Sequence, residues 1–214
     1  MATKFYLASS GTPAATVAAS AYWTHDAGAL LLAPCSKTKT STAINYNTHE
    51  TGASSWVQRH AQFVSSEQLA AYDFTAADTI KFQISPFAVG VLYIALSVRV
   101  VSANGGTVRG ILYEGTGPTA IDTSGFVNRS IGAAGAHVHV QNSVSMSGGD
   151  RIVIEVGALF PVAESHLYPY IGDDNASDLP ENETGTDNFN PWCELSPTIA
   201  DYSAAATNVV LNVI

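Results

Sequence analysis

Several groups of side chains in this chain are of types that do chemistry. The acidic stretch from Gly172 to Asp187 carries Asp173, Asp174, Asp178, Glu181, Glu183 and Asp187 and no Lys or Arg. Clustered carboxylate and amide oxygens suit calcium, a hard cation that takes about six to eight oxygen ligands. Asp173, Asp174 and Asp178 are the first candidates. The spacing does not match an EF-hand loop, and a solvated acidic loop is the plainer reading. His137 and His139 stand two apart on an expected strand, so both imidazoles project from one face, a geometry that can hold a transition metal. No third ligand is identifiable, and two ordinary surface histidines are the simpler alternative. His25, His49, His60 and His166 are isolated. Glu155 lies in the apolar run Ile152 to Val156, either as an inward-facing acid or, more simply, alternating outward with Val153. Cys35 and Cys193 lack C-x-x-C partners and zinc-ligand spacing. Free thiols are expected, with one bridge between them as the alternative.

The chain contains no G-x-S-x-G elbow, P-loop, H-E-x-x-H or G-x-G-x-x-G ahead of a helix. Paired carboxylates for glycoside hydrolysis cannot be recognised by spacing, because the fold sets their separation. The sequence therefore assigns no catalytic residue, no metal and no cofactor. Aromatic residues are the remaining possibility. Trp23, Trp56, Trp192 and the nine tyrosines include candidates for a sugar-stacking platform, although filling a core or a subunit interface is the plainer role.

The elements that must position these residues are strands. Ile80, Phe82 and Ile84 alternate with Lys81, Gln83 and Ser85, and Leu92, Ile94, Leu96, Val98 and Val100 alternate with Tyr93, Ser97 and Arg99. This two-residue period predicts sheets with one wet face. Asn104-Gly105-Gly106 and Gly148-Gly149-Asp150 are turns. A first strand is expected at Lys4 to Leu7, a buried strand at Ala29 to Ala33, a polar loop from Lys37 to Ser55 and a regular sheet from about Val57. Glu67 to Tyr72 reads as one helical turn, and Ala136 to Met146 as a strand bent near Asn142. About eleven short strands predict an all-β fold, an antiparallel two-sheet β-sandwich of jelly-roll type. One domain spans 1–214, with 1–57 as N-terminal strands and polar loop and 58–214 as the main sheets and C-terminal strand. Thr207 to Ile214 is an alternating strand without charge, which needs a neighbouring edge in this subunit or another.

Charged residues make up 13% of the chain, against about 25% in ordinary soluble domains. Such a surface suits close packing with other proteins. The net charge of −9 and nine scattered basic residues argue against nucleic-acid binding, which needs clustered Lys and Arg. No apolar run reaches the length of a membrane span, and no signal peptide is visible, so synthesis in a cytoplasm is expected.

Four phrases recur in a characteristic order: Gln62-Phe-Val-Ser65 with Leu69-Ala70; Arg99-Val-Val-Ser-Ala-Asn-Gly-Gly-Thr-Val-Arg-Gly110; Gly149-Asp-Arg-Ile-Val-Ile-Glu-Val-Gly157; and Asp178-Leu-Pro180 ahead of Asn190-Pro-Trp-Cys-Glu-Leu-Ser196. On these, the stretch from about Gln62 to Ser196 resembles a set of uncharacterised virion-associated proteins encoded in tailed-bacteriophage and prophage genomes. Cys193 departs from the pattern, standing where an aliphatic residue is expected, which fits a small buried side chain. The resemblance implies a non-catalytic structural protein of the virion, a capsid decoration or minor head protein. Its partners would be neighbouring capsid, neck or tail subunits and other copies of itself, without nucleic acid or membrane. The alternative is a carbohydrate- or receptor-binding module of a phage tail or adhesin that uses calcium. A lyase or glycosidase on the same scaffold is a weaker third reading.

Overall fold

The computed structural model describes residues 2–46, 50–121, 126–162, 165–185 and 189–203. Along them run β1 (Thr3–Leu7), β2 (His25–Ser36), β3 (Asn45–Tyr46), β4 (Glu50–Gly52), β5 (Trp56–Ser65), β6 (Tyr72–Phe74), β7 (Thr79–Val89) and β8 (Leu92–Val101). There follow β9 (Val108–Ile121), β10 (Arg129–Ser130), a 3-10 turn at Ala133–Gly135, β11 (Val138–His139), β12 (Val144–Met146), β13 (Arg151–Phe160), β14 (Ser165–Ile171) and β15 (Trp192–Leu195). The all-β expectation holds. Thr207 to Ile214, His49 and Asp187 lie outside the described residues.

Hydrogen bonding joins the strands into one thirteen-stranded sheet and a two-stranded sheet of β6 and β12. The main path runs β3-β14-β7-β15-β1-β2-β5-β13-β8-β9, with β10 and β11 on β7 and β4 on β14. It curls until nearly closed into a barrel. The gap between β9 and β7 is spanned by residues 129–142, which pair with β7 through β10 and β11. They also bond the edge of β9, where Gln141 N donates to Leu112 O (2.7 Å) and Gln141 Nε2 to Glu114 O (2.9 Å), while Gln141 Oε1 accepts from Glu114 N (3.0 Å). An open edge is thereby covered.

The structure departs from the sequence reading at several places. β1 and β2 lie in the middle of the large sheet, between β15 and β5, so the regular sheet does not begin at Val57. β2 runs parallel to β5, whereas the other strand pairs among the described residues are antiparallel. The Ala29 to Ala33 run is a strand but only partly buried, with Leu32 47% exposed. Residues 67–72 form no helical turn, because backbone bonds to distant segments win: Leu69 N donates to Asp150 O and Ala70 N to Ala200 O. The expected strand from Ala136 to Met146 divides into β11 and β12 around Asn142.

The inward residues of the alternating strands behave as predicted. Ile80, Phe82, Ile84, Leu92, Ile94, Leu96, Val98, Ile152, Ile154 and Val156 are buried in one apolar core with Phe5, Leu7 and Phe63. The expected wet face is a different matter, since Gln83, Ser85, Ser97 and Arg99 are buried as well. Two irregular segments cover it. Between β1 and β2, Ala15 and Val17 pack on the outward Val64, Val101 and Val153. Between β14 and β15, the acidic stretch lies beside Trp192, whose indole Nε1 donates to Leu179 O (2.8 Å). Sequence periodicity identifies which residues share a face, but not which loop will later cover it.

Candidate functional site

A buried polar cluster inside the described residues is centred on Glu155, fully buried on β13. It does share a face with Val153, as alternation requires, but the reading of that face as outward is corrected: residues 15–23 roof it over. A bulge prepares the floor. Val156 pairs with Ala61 and Gly157 with Arg59, so His60 is the extra residue of β5. The extra residue re-aims its neighbours. Arg59 joins Gln62 and Glu155 on the outer face, while His60 stacks on the core ring of Phe160 (centroids 6.2 Å apart). Gly157 completes the arrangement, because a Cβ there would strike Gln58 O and the Trp23 ring.

Three strands and the roof converge on the carboxylate. Glu155 Oε1 receives Arg59 Nη1 (2.8 Å), Gln62 Nε2 (2.8 Å) and Arg99 Nη2 (3.0 Å). Glu155 Oε2 receives Trp23 Nε1 (2.9 Å) and Ser20 N (3.2 Å). Five N–H donors face a group with about four lone-pair sites. Arg59 is clamped from its other side by Asp26 through a two-point contact (2.8 and 2.9 Å). Gln62 Nε2 and Arg99 Nη2 also bind the roof's Val17 and Ala18 carbonyls. Burial draws the guanidinium of Arg59 down, but Asp26 and Glu155 outweigh it and raise the pKa; at Arg99 burial prevails and the pKa falls. The site ties an irregular segment to a sheet. It leaves no oxygen of Glu155 for a substrate.

The calcium candidates have the same fate. Asp173 is buried, with Oδ2 bound to Thr40 N (2.6 Å) and Oγ1 (2.8 Å), and Oδ1 to Thr42 N (2.7 Å) and Oγ1 (2.8 Å). Asp178 meets Lys4 Nζ and Lys39 Nζ (both 3.1 Å) and the Tyr6 hydroxyl (3.1 Å). Burial pushes the Asp178 carboxyl upward, but the hydrogen bonds from Lys39 and Lys4 outweigh it and hold the pKa below the ordinary carboxylate value. Asp174 is exposed. At Asp173 and Asp178 the acidic stretch is thus stitched to the polar loop at Thr40 and Thr42 and to β1 by donors that occupy the oxygens a cation would use. Among the described residues no three His, Cys, Asp or Glu side chains gather as a metal site.

Cys35 and Cys193 are buried free thiols. They flank β1, opposite Leu7 and Phe5. Two strand spacings of about 4.8 Å separate them, beyond the roughly 7 Å Cα limit for a disulfide. Burial raises both thiol pKa values, so neither is a nucleophile in waiting. Trp23 and Trp192 are buried, whereas Trp56 is half-buried and stacks on His25 with centroids 3.6 Å apart.

Three features escape sequence reasoning. One is the partner set of Glu155, whose only signal is the charged or amide residue interrupting apolar runs at Arg59, Gln62, Arg99 and Glu155. The second is a half-buried aromatic group of β7, β14 and the segment ahead of β10, where Phe87 meets Tyr168 (5.2 Å) and Phe126 (5.6 Å), and Phe126 meets Tyr170 (4.7 Å). The third is a set of exposed valines at one end of the large sheet: Val89 and Val91 flank a glycine packed against Ser165, and Val162 precedes β14.

No family model matches the chain. No curated protein matches it. Among solved structures, a CocE/NonD family hydrolase from Staphylococcus aureus aligns with 92% of this chain and 34% of its own at 8% identity and a TM-score of 0.34. The chain thus spans about a third of that hydrolase's length. The structure of the Gx strain of infectious bursal disease virus aligns with 78% of this chain and 46% of its own, at 8% identity and a TM-score of 0.18. Likenesses this distant carry no functional argument.

Proposed function

We propose that the chain is a non-catalytic structural protein of a tailed-bacteriophage virion, a capsid decoration or minor head protein. In this reading it is a single β-sandwich domain of jelly-roll type, made in the host cytoplasm. Its surface binds neighbouring virion subunits and further copies of itself. One observation carries the reading: every Lys and Arg side chain is engaged within the chain. Lys4, Lys37, Lys39, Lys81, Arg59, Arg99 and Arg109 form ion pairs, and Arg129 and Arg151 bind backbone carbonyls. Charge here holds segments together, and the exposed Val89, Val91 and Val162 supply the apolar contact that protein neighbours recognise. Mass spectrometry of purified virions from the source phage tests this. A copy number on the order of hundreds per particle fits a shell position, and a handful fits a minor component. Absence from the particle overturns the proposal.

The aromatic group of Phe87, Phe126, Tyr168 and Tyr170 favours a second reading, a carbohydrate-binding module that stacks sugar rings. Calcium has no part in it, because Asp173 and Asp178 are already bound by protein donors. Retention on immobilised glycans, unchanged by chelator and lost in Tyr168→Ala, would favour this module over the virion role.

A further inference from the structure

We propose that His137 and His139 form a two-imidazole chelate for a borderline divalent transition-metal ion, with water in the remaining coordination positions. Both side chains are exposed, on the solvent side of β11, while Val138 between them packs on the core and Val140 beyond them is buried. The backbone beneath is held to β7 by Val138 opposite Ile80 and His139 opposite Thr79. The two rings stand with centroids 5.3 Å apart and planes at 84°. Two imidazoles on one ion, at metal–nitrogen distances of about 2.0–2.1 Å and an angle between right and tetrahedral, place their centroids about 4.5–5.2 Å apart. The ring spacing thus already matches that of a chelate to within a few tenths of an ångström, and rotation of the exposed side chains is all that is needed to turn both lone pairs toward one ion.

The second support is the tautomer of His139. Its Nδ1 lies 3.2 Å from Ala76 O. A backbone carbonyl only accepts, so Nδ1 carries the proton and Nε2 keeps its lone pair. This is the outer contact that orients metal-binding histidines and raises their basicity. The carbonyl itself sits in a fixed turn, with Asp78 N bound to Thr75 O (3.0 Å) and Thr75 N to Asp78 Oδ2 (2.9 Å). Imidazole suits copper, nickel and zinc, and among divalent first-row ions copper binds such sites most strongly. With no third His, Cys, Asp or Glu nearby among the described residues, the site is open on its outer side.

The test titrates Cu²⁺ into untagged protein by calorimetry, with electron paramagnetic resonance of the loaded sample. One tight site per chain with a two-nitrogen imidazole signature is expected. His137→Ala or His139→Ala should each weaken it by roughly 10²-fold, the loss that follows when a bidentate contact becomes single. His25→Ala and His166→Ala should leave it unchanged. Because His137 and His139 are exposed, their variants should keep the native melting temperature without metal, which separates lost binding from lost folding. The proposal is overturned if the tight site survives the double variant, or if wild type binds Cu²⁺ no better than either single variant.

Discussion

At Glu155 a buried carboxylate faces two guanidinium groups, and the energetics of such a site lie in its completeness. Burying these charges carries a desolvation cost that their mutual attraction offsets only while every partner is present. Glu155→Gln leaves Arg59 and Arg99 buried beside an amide that cannot balance them. A loss of about 3–5 kcal/mol is expected, read from urea unfolding. His60 gives the fold a pH dependence from the other side. Burial lowers its pKa to about 4, so the native protein holds it neutral. Between that value and the unfolded value near 6.5, the unfolded chain binds the proton and the native state does not. The stabilisation is therefore fully present above about pH 6.5 and declines as pH falls toward 4, by about 3 kcal/mol over the interval. His60→Leu should flatten this part of the profile in melts taken from pH 7 to 4.

The irregular segment between β1 and β2 shows how an element without regular structure can decide the environment of a sheet. It lies across β5, β13 and β8 because Gly157 leaves room for Trp23 and because Gln62 and Arg99 reach its carbonyls. Gly157→Ala should push the indole off its seat and the Gln58 carbonyl aside. A destabilisation of about 1–3 kcal/mol is expected, as for other overpacked sites, with a red shift in tryptophan emission. This element also marks where the sequence stops being legible. The inward set of β7, β8 and β13 could be read directly, since Ile80 to Ile84, Leu92 to Val100 and Ile152 to Val156 alternate cleanly. The burial of Glu155 could not, because Ala15, Val17 and Ser20 have no periodicity that ties them to a partner more than a hundred residues away. The acidic stretch was legible only in part for a similar reason. Carboxylate clustering is visible in sequence, whereas the donors that occupy it come from Thr40, Thr42, Lys4 and Lys39 in other elements. The His60 bulge, a one-residue change of register, was equally invisible to a period count.

For the whole molecule, the distribution of surface chemistry sets the expected behaviour. Cations are engaged internally, the chain is poorly charged, and Val89, Val91 and Val162 are exposed together. Under the virion proposal, placing Asp at all three valines should abolish incorporation into particles while shifting the melting temperature by only a few degrees, because none of the three is buried. Incorporation at the wild-type level would move the contact surface elsewhere. Finally, Thr3 to Tyr6 pair with Trp192 to Leu195 on one side while Leu7 pairs with Cys35 on the other. During synthesis, β1 leaves the ribosome first of these strands but lacks one neighbour until β15 has been translated. The main sheet therefore cannot close progressively behind the emerging chain, and its completion waits for β15.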